Sequence, residues 1–89
     1  MVSWTQEAEV LRRYLDAAMR HATYEILSDD GTFYGEIPGF DGVYANAKTL
    51  EECREELQQT LEDWLLVRIA RHLDLPEVDG LRLRVPEAV

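Results

Sequence analysis

Two histidines, one cysteine and a run of carboxylates are the residues of this 89-residue chain whose types could do chemistry. His21 and His72 each fall at the end of a helical pattern. They lack the short spacing of a zinc pair, and a histidine beside helix C-terminal carbonyls is ordinary charge placement. Cys53 lies on an apolar stripe. A nucleophilic thiolate there would need a base or a cation nearby, and Glu52 and Glu56 supply the opposite field. A single cysteine also excludes an intrachain disulfide and a cysteine-based zinc site, which fits a reducing cytoplasm. Asp29-Asp30 stands before Gly31, where carboxylates act as turn formers. Glu25 and Glu36 fall on neighbouring strands, but metal chemistry of the nuclease kind needs several converging carboxylates. No catalytic, metal-binding or cofactor-binding residue is therefore assigned, and the chain is read as no enzyme.

The carboxylates are informative in another way. The chain carries a formal charge of −9. Between residues 25 and 63 lie eleven acids and two bases, Lys48 and Arg54, whereas the remainder balances seven acids with seven bases. The whole excess sits in one central block. Phosphate contacts need lysine and arginine, so the block opposes direct nucleic-acid binding. It would attract a basic protein, or serve only as a solvated acidic surface.

These residues must be held by a small α+β framework. Val10, Leu11, Tyr14, Leu15, Ala18 and Ala22 recur at three- and four-residue steps and predict an amphipathic helix over about 5–21, with Ser3 and Gln6 at capping-box spacing. The period then changes to two. Strands are predicted over 24–27, 32–37 and 43–48, joined by the Asp29-Asp30-Gly31 turn and by Pro38-Gly39-Phe40-Asp41-Gly42. Thr49 and Glu52 form a second capping box. It opens a helix over about 50–73 whose stripe is Leu50, Cys53, Leu57, Leu61 and Trp64. Leu81, Leu83 and Val85 alternate with Arg82 and Arg84 as a final strand over 81–85, expected to join the sheet by a crossover. The long helix is expected to pack on Ile26, Phe33, Ile37, Val43 and Ala45. The opposite sheet face would carry Glu25, Leu27, Tyr34, Glu36, Tyr44, Arg82 and Arg84, either covered by the first helix or used for association. One domain over 1–89 results, with an N-terminal helix at 1–22 and the sheet and long helix at 23–85. The longest apolar run, Trp64 to Val67, falls far short of the roughly 20 residues of a membrane span. The N-terminus lacks the pattern of a signal peptide, so no membrane association and a cytoplasmic location are expected.

The ordered set Gly31-Thr-Phe-Tyr-Gly-Glu-Ile-Pro38-Gly-Phe-Asp-Gly42-Val43, then Ala45, Thr49, Glu52 and Trp64, resembles the HicB family of bacterial toxin–antitoxin systems. The resemblance covers about residues 24–64. It implies a degraded RNase H-like sheet crossed by one helix, and an antitoxin that binds and masks HicA, a small basic RNase. Many HicB proteins carry a C-terminal DNA-binding module. Here residues 74–89 read as loop plus strand, so no DNA autoregulation by the chain alone is expected. The N-terminal helix is an addition to the family's minimal pattern.

A HicA-like toxin is thus the expected partner, with Asp29, Asp30, Tyr34, Glu36, Tyr44 and Glu55 as candidate contacts. Trp64-Leu65-Leu66-Val67 and Ile69-Ala70 make the late helix apolar on more than one side. Leu65, Leu66 and Ile69 are therefore candidate contacts of a homo-oligomer, dimer or larger. The alternatives are a self-associating domain without a toxin and a divergent RNase H-like nuclease.

Overall fold

The computed structural model describes residues 4–83. It contains α1 (Trp4–Arg20), β1 (Thr23–Ile26), β2 (Phe33–Glu36), β3 (Tyr44–Ala47) and α2 (Leu50–Ala70). The strands form an antiparallel meander in the order β1-β2-β3. The expected cap at Ser3 lies outside the described residues.

The meander depends on its two connections. Between β1 and β2, the Leu27 N–H donates to Thr32 O at 2.8 Å and the Gly31 N–H donates to Leu27 O at 2.8 Å. Asp30 accepts from the Thr32 N–H at 2.9 Å and from its hydroxyl at 2.6 Å, an Asx turn closed by a side chain. Between β2 and β3, two turns follow in succession. Phe40 N–H bonds Ile37 O and Val43 N–H bonds Phe40 O, each at 3.1 Å. Gly39 (φ 87°) and Gly42 (φ 93°) occupy their third positions, where a side chain would be strained. Placed between the two turns, Phe40 points inward. Its ring meets Tyr14 of α1 at 6.2 Å and Trp64 of α2 at 5.2 Å. The Trp64 indole N–H donates to Asp41 O at 3.0 Å. The double turn thereby ties the sheet to both helices, and the burial of Phe40 contributes on the order of 2 kcal/mol.

α2 opens at Thr49, whose extended backbone (φ −123°, ψ 157°) lets its hydroxyl accept the Glu52 N–H at 3.1 Å. Such a cap contributes about 1 kcal/mol. Cys53, Leu57, Leu61 and Leu65 form the buried stripe. The stripe lies on the sheet face made by Tyr24, Gly35 and Ala45 in one row and Ile26, Phe33 and Ala47 in the next. Small residues permit close approach. A Cβ on Gly35 would stand 2.8 Å from the Tyr24 ring and 3.1 Å from Cys53 Sγ.

Three sequence expectations are corrected. α2 ends at Ala70, not near Leu73. His72 adopts a left-handed conformation (φ 54°) and the Leu73 N–H reaches back to Arg68 O at 2.9 Å, a Schellman closure. The guanidinium of Arg68 then holds Asp74 O at 2.6 and 2.9 Å while lying over the Trp64 ring. Ile26 is 65% exposed and is not part of the helix–sheet core. α2 crosses β2 and β3, and of the edge strand β1 it is Tyr24 that packs against the core. Finally, 81–83 do not form a sheet strand. Leu81 pairs only with Val78, across the turn Asp79-Gly80 with φ of 50° and 78°; Arg84 and Val85 lie outside the described residues. The cause is competition from α1. Tyr14 donates its hydroxyl to Pro76 O, and Asp79 meets His21 at 2.7 Å and Arg20 at 3.8 Å. Val78 is thereby buried in the main core.

α1 packs beside α2 through Tyr14, Ala17 and Ala18, not across the sheet. Burial pushes the Tyr14 hydroxyl up to about 12, opposed in part by Arg68, so it remains a donor. Among the described residues no helix is long and apolar enough to cross a membrane.

Candidate partner-binding face

Among the described residues both helices lie on one side of the meander, and no element covers its other face. Strand alternation and register place six side chains on it in two rows of three. Glu25, Tyr34 and Asn46 are cross-strand neighbours in one row; Thr23, Glu36 and Tyr44 are neighbours in the next. The tyrosines and the glutamates fall on two parallel diagonals, Glu25 to Glu36 and Tyr34 to Tyr44. The tyrosine rings stack with centroids 6.3 Å apart and planes 25° apart. Tyr44 is 58% exposed. The Tyr34 hydroxyl donates to Glu36 Oε2 at 3.4 Å, and Asn46 Nδ2 donates to Thr32 Oγ1 and to Phe33 O.

Among the described residues the carboxylates of this face make no ion pair: the pairs are Glu9–Arg13 and those of Asp79 with Arg20 and His21, and neither Glu25 nor Glu36 takes part in one. Partial burial, and then the charge of Glu36, raise the Tyr34 hydroxyl above the ordinary tyrosine value, so it stays protonated and orients the Glu36 carboxylate. Thr23, Tyr24, Glu25, Tyr34 and Glu36 line an open depression of about 220 Å³. Among the described residues no group of three or more His, Cys, Asp or Glu side chains is arranged to hold a metal ion.

The sequence-derived partner contacts separate into three places. Tyr34, Glu36 and Tyr44 lie together on the bare face. Asp29 and Asp30 are exposed at the β1–β2 connection, where the Asp30 carboxylate is engaged by Thr32 and held below the usual carboxylate value by those bonds. Glu55 belongs to α2, on the other side of the sheet. It lines a shallow depression of about 300 Å³ with Gln58, Gln59 and Glu62. Thr23, Glu25 and Asn46, outside that candidate set, share the face with Tyr34, Glu36 and Tyr44, as the same period-two alternation requires. The oligomer candidates divide too. Leu65 is 2% exposed and belongs to the core, so it is removed from the contact set. Leu66 is 66% exposed and Ile69 half-buried, while Val67, absent from the set, is 49% exposed. Cys53 is buried and its thiol is raised by burial and by Glu56, as a core residue would be. His21 and His72 are structural, one clasping Asp79 and the other forming the left-handed helix cap.

Two helices packed on one side of a three-stranded antiparallel sheet define an α+β domain whose bare face is aromatic and acidic. The profile of the UPF0150-like family matches residues 13–76, and the chain belongs to that family. It is a family associated with HicB-like toxin–antitoxin proteins, and one not known for enzymes. The match begins within α1 and so takes in Tyr14, Ala17 and Ala18. Among solved structures, the crystal structure of TTHA0281 from Thermus thermophilus is similar at 42% identity. The alignment covers 88% of this chain and 96% of that one, with a TM-score of 0.80. A search of curated proteins gives no match.

Proposed function

We propose that the chain is an antitoxin-like module whose bare sheet face binds and masks a small basic protein, an RNase toxin of the HicA type. The observation that carries this reading is the uncovered face itself, with a stacked tyrosine pair beside two carboxylates that have no cationic partner within the described residues. Exposed aromatic groups ringed by charge are typical anchors of protein interfaces. A negative face steers a positive partner and speeds its association. Membership of a family associated with toxin–antitoxin proteins supports the same reading.

The test is association of the full chain with a small basic RNase encoded beside it, measured at low and high salt, together with RNA cleavage by that RNase. Glu25→Gln combined with Glu36→Gln slows association at low salt and restores cleavage. The difference narrows at high salt as screening grows. Asp29→Asn combined with Asp30→Asn has the smaller effect. Wild-type association and inhibition by the Glu25/Glu36 variant would refute the assignment of this face.

Self-association is a second component of the reading. Leu66 and Val67 stand side by side on α2 with large apolar side chains in solvent, and burying them against a second copy removes that surface from water. The bare sheet face is ill suited to the same contact, because a twofold axis through it would oppose Glu25 and Glu36 to their own copies.

A further inference from the structure

Building on the assignment of the bare sheet face to a basic protein, we infer that the partner is anchored there by an arginine side chain. Its guanidinium would lie in the depression between Glu25 and Glu36, flat against the Tyr34 ring. Three features select this chemistry. The depression has acidic walls contributed by separate strands, Glu25 from β1 and Glu36 from β2. As diagonal cross-strand neighbours their side chains root about 7 Å apart. One planar guanidinium spans that gap with hydrogen bonds of about 2.8 Å to each side, whereas the point charge of a lysine ammonium satisfies one carboxylate at a time. Tyr34 supplies the third wall. Its ring is stacked by Tyr44 and its hydroxyl is bonded to Glu36, so ring and carboxylate are both positioned before any ligand arrives. The same pairing already occurs within this chain, where the Arg68 guanidinium lies 4.8 Å from the Trp64 ring centroid.

The competing acidic surface lacks these features. Glu55, Gln58, Gln59 and Glu62 on α2 line a comparable depression with no aromatic wall. A cation drawn by charge alone would visit both surfaces, whereas one recognised by shape and stacking collects on the sheet.

The experiment is an NMR titration of the full chain with two capped tripeptides, Gly-Arg-Gly and Gly-Lys-Gly, followed by amide shifts. The arginine peptide perturbs β1 and β2 and binds about two- to fivefold more tightly than the lysine peptide, the range of an exposed cation–π contact. Tyr34→Leu narrows the difference between the two affinities to what the paired carboxylates alone supply. Tyr34→Phe, which keeps the ring, retains the preference for arginine and controls for any loss of folding in the leucine variant. Glu25→Gln with Glu36→Gln weakens both peptides. Equal affinities of the wild-type chain for the two peptides, with shifts on the sheet, would overturn the arginine anchor and leave the basic-partner face standing. Shifts confined to α2, or none on the sheet with either peptide, would overturn both.

Discussion

Gly35→Ala adds one methyl group at the closest approach between sheet and helix, and the structure supplies the terms of its effect. The new Cβ would lie 2.8 and 2.9 Å from Cδ1 and Cε1 of Tyr24 and 3.1 Å from Cys53 Sγ. Gly35 is hydrogen-bonded into the centre of the meander, flanked by Tyr24 on β1 and Ala45 on β3, so the backbone itself cannot retreat. Relief must come from the Tyr24 ring swinging off the edge strand or from α2 lifting. Overpacking of this kind costs about 1–3 kcal/mol. The φ of Gly35 is not in the left-handed region, so alanine adopts this backbone and recovers about 0.4–1 kcal/mol by restricting the unfolded chain. Taking the middle of each range, the balance is a loss of about 1.3 kcal/mol. For a domain of this size it lowers Tm by roughly 5–10 °C. Urea and thermal unfolding followed by circular dichroism measure it. A double-mutant cycle with Tyr24→Ala isolates the contact. Removing the ring eliminates the two shortest contacts, so the penalty of Gly35→Ala shrinks by at least about 0.5 kcal/mol in that background. A neutral or stabilising Gly35→Ala, or an equal penalty in both backgrounds, would refute the account of Gly35 as the seat of close packing.

Three further outcomes are expected. His72→Gly relieves a left-handed backbone at a helix end and raises stability by about 1 kcal/mol, seen as a higher urea midpoint at unchanged slope; a lower midpoint would contradict the cap assignment. The Asp30 carboxylate is held below its ordinary value of 3.8 by its Thr32 bonds, so its contribution is complete above the unfolded value and is lost as pH falls through the lower folded value. The Thr32 amide resonance should therefore move in that acid window, and Asp30→Asn should abolish the movement. Leu66→Glu should shift the light-scattering mass from dimer or larger toward monomer, and a monomeric mass for the parent chain at tens of micromolar would contradict self-association through α2.

Much of this protein is legible without coordinates because its determinants are local. The three- and four-residue spacing of Tyr14 and Ala18, the Thr49 cap, and the stripe of Cys53, Leu57 and Leu61 are properties of single helices. Alternation alone puts Glu25, Tyr34, Glu36 and Tyr44 on one sheet face, since successive strand residues point to opposite sides. What tertiary structure decided depends on which elements compete for the same surface. Leu81 and Leu83 alternate like strand residues, yet the hydrogen bond from Tyr14 to Pro76 and the clasp of His21 on Asp79 draw that segment to α1 instead of the sheet. Leu65 and Leu66 are equally apolar neighbours, and only the position of α2 over β2 and β3 makes one core and the other surface. The Pro38–Gly42 motif announces turns in sequence. That its Phe40 joins Tyr14 to Trp64, and that packing α1 beside α2 leaves the acidic, aromatic face bare, follows only from long-range contacts between residues far apart in the chain.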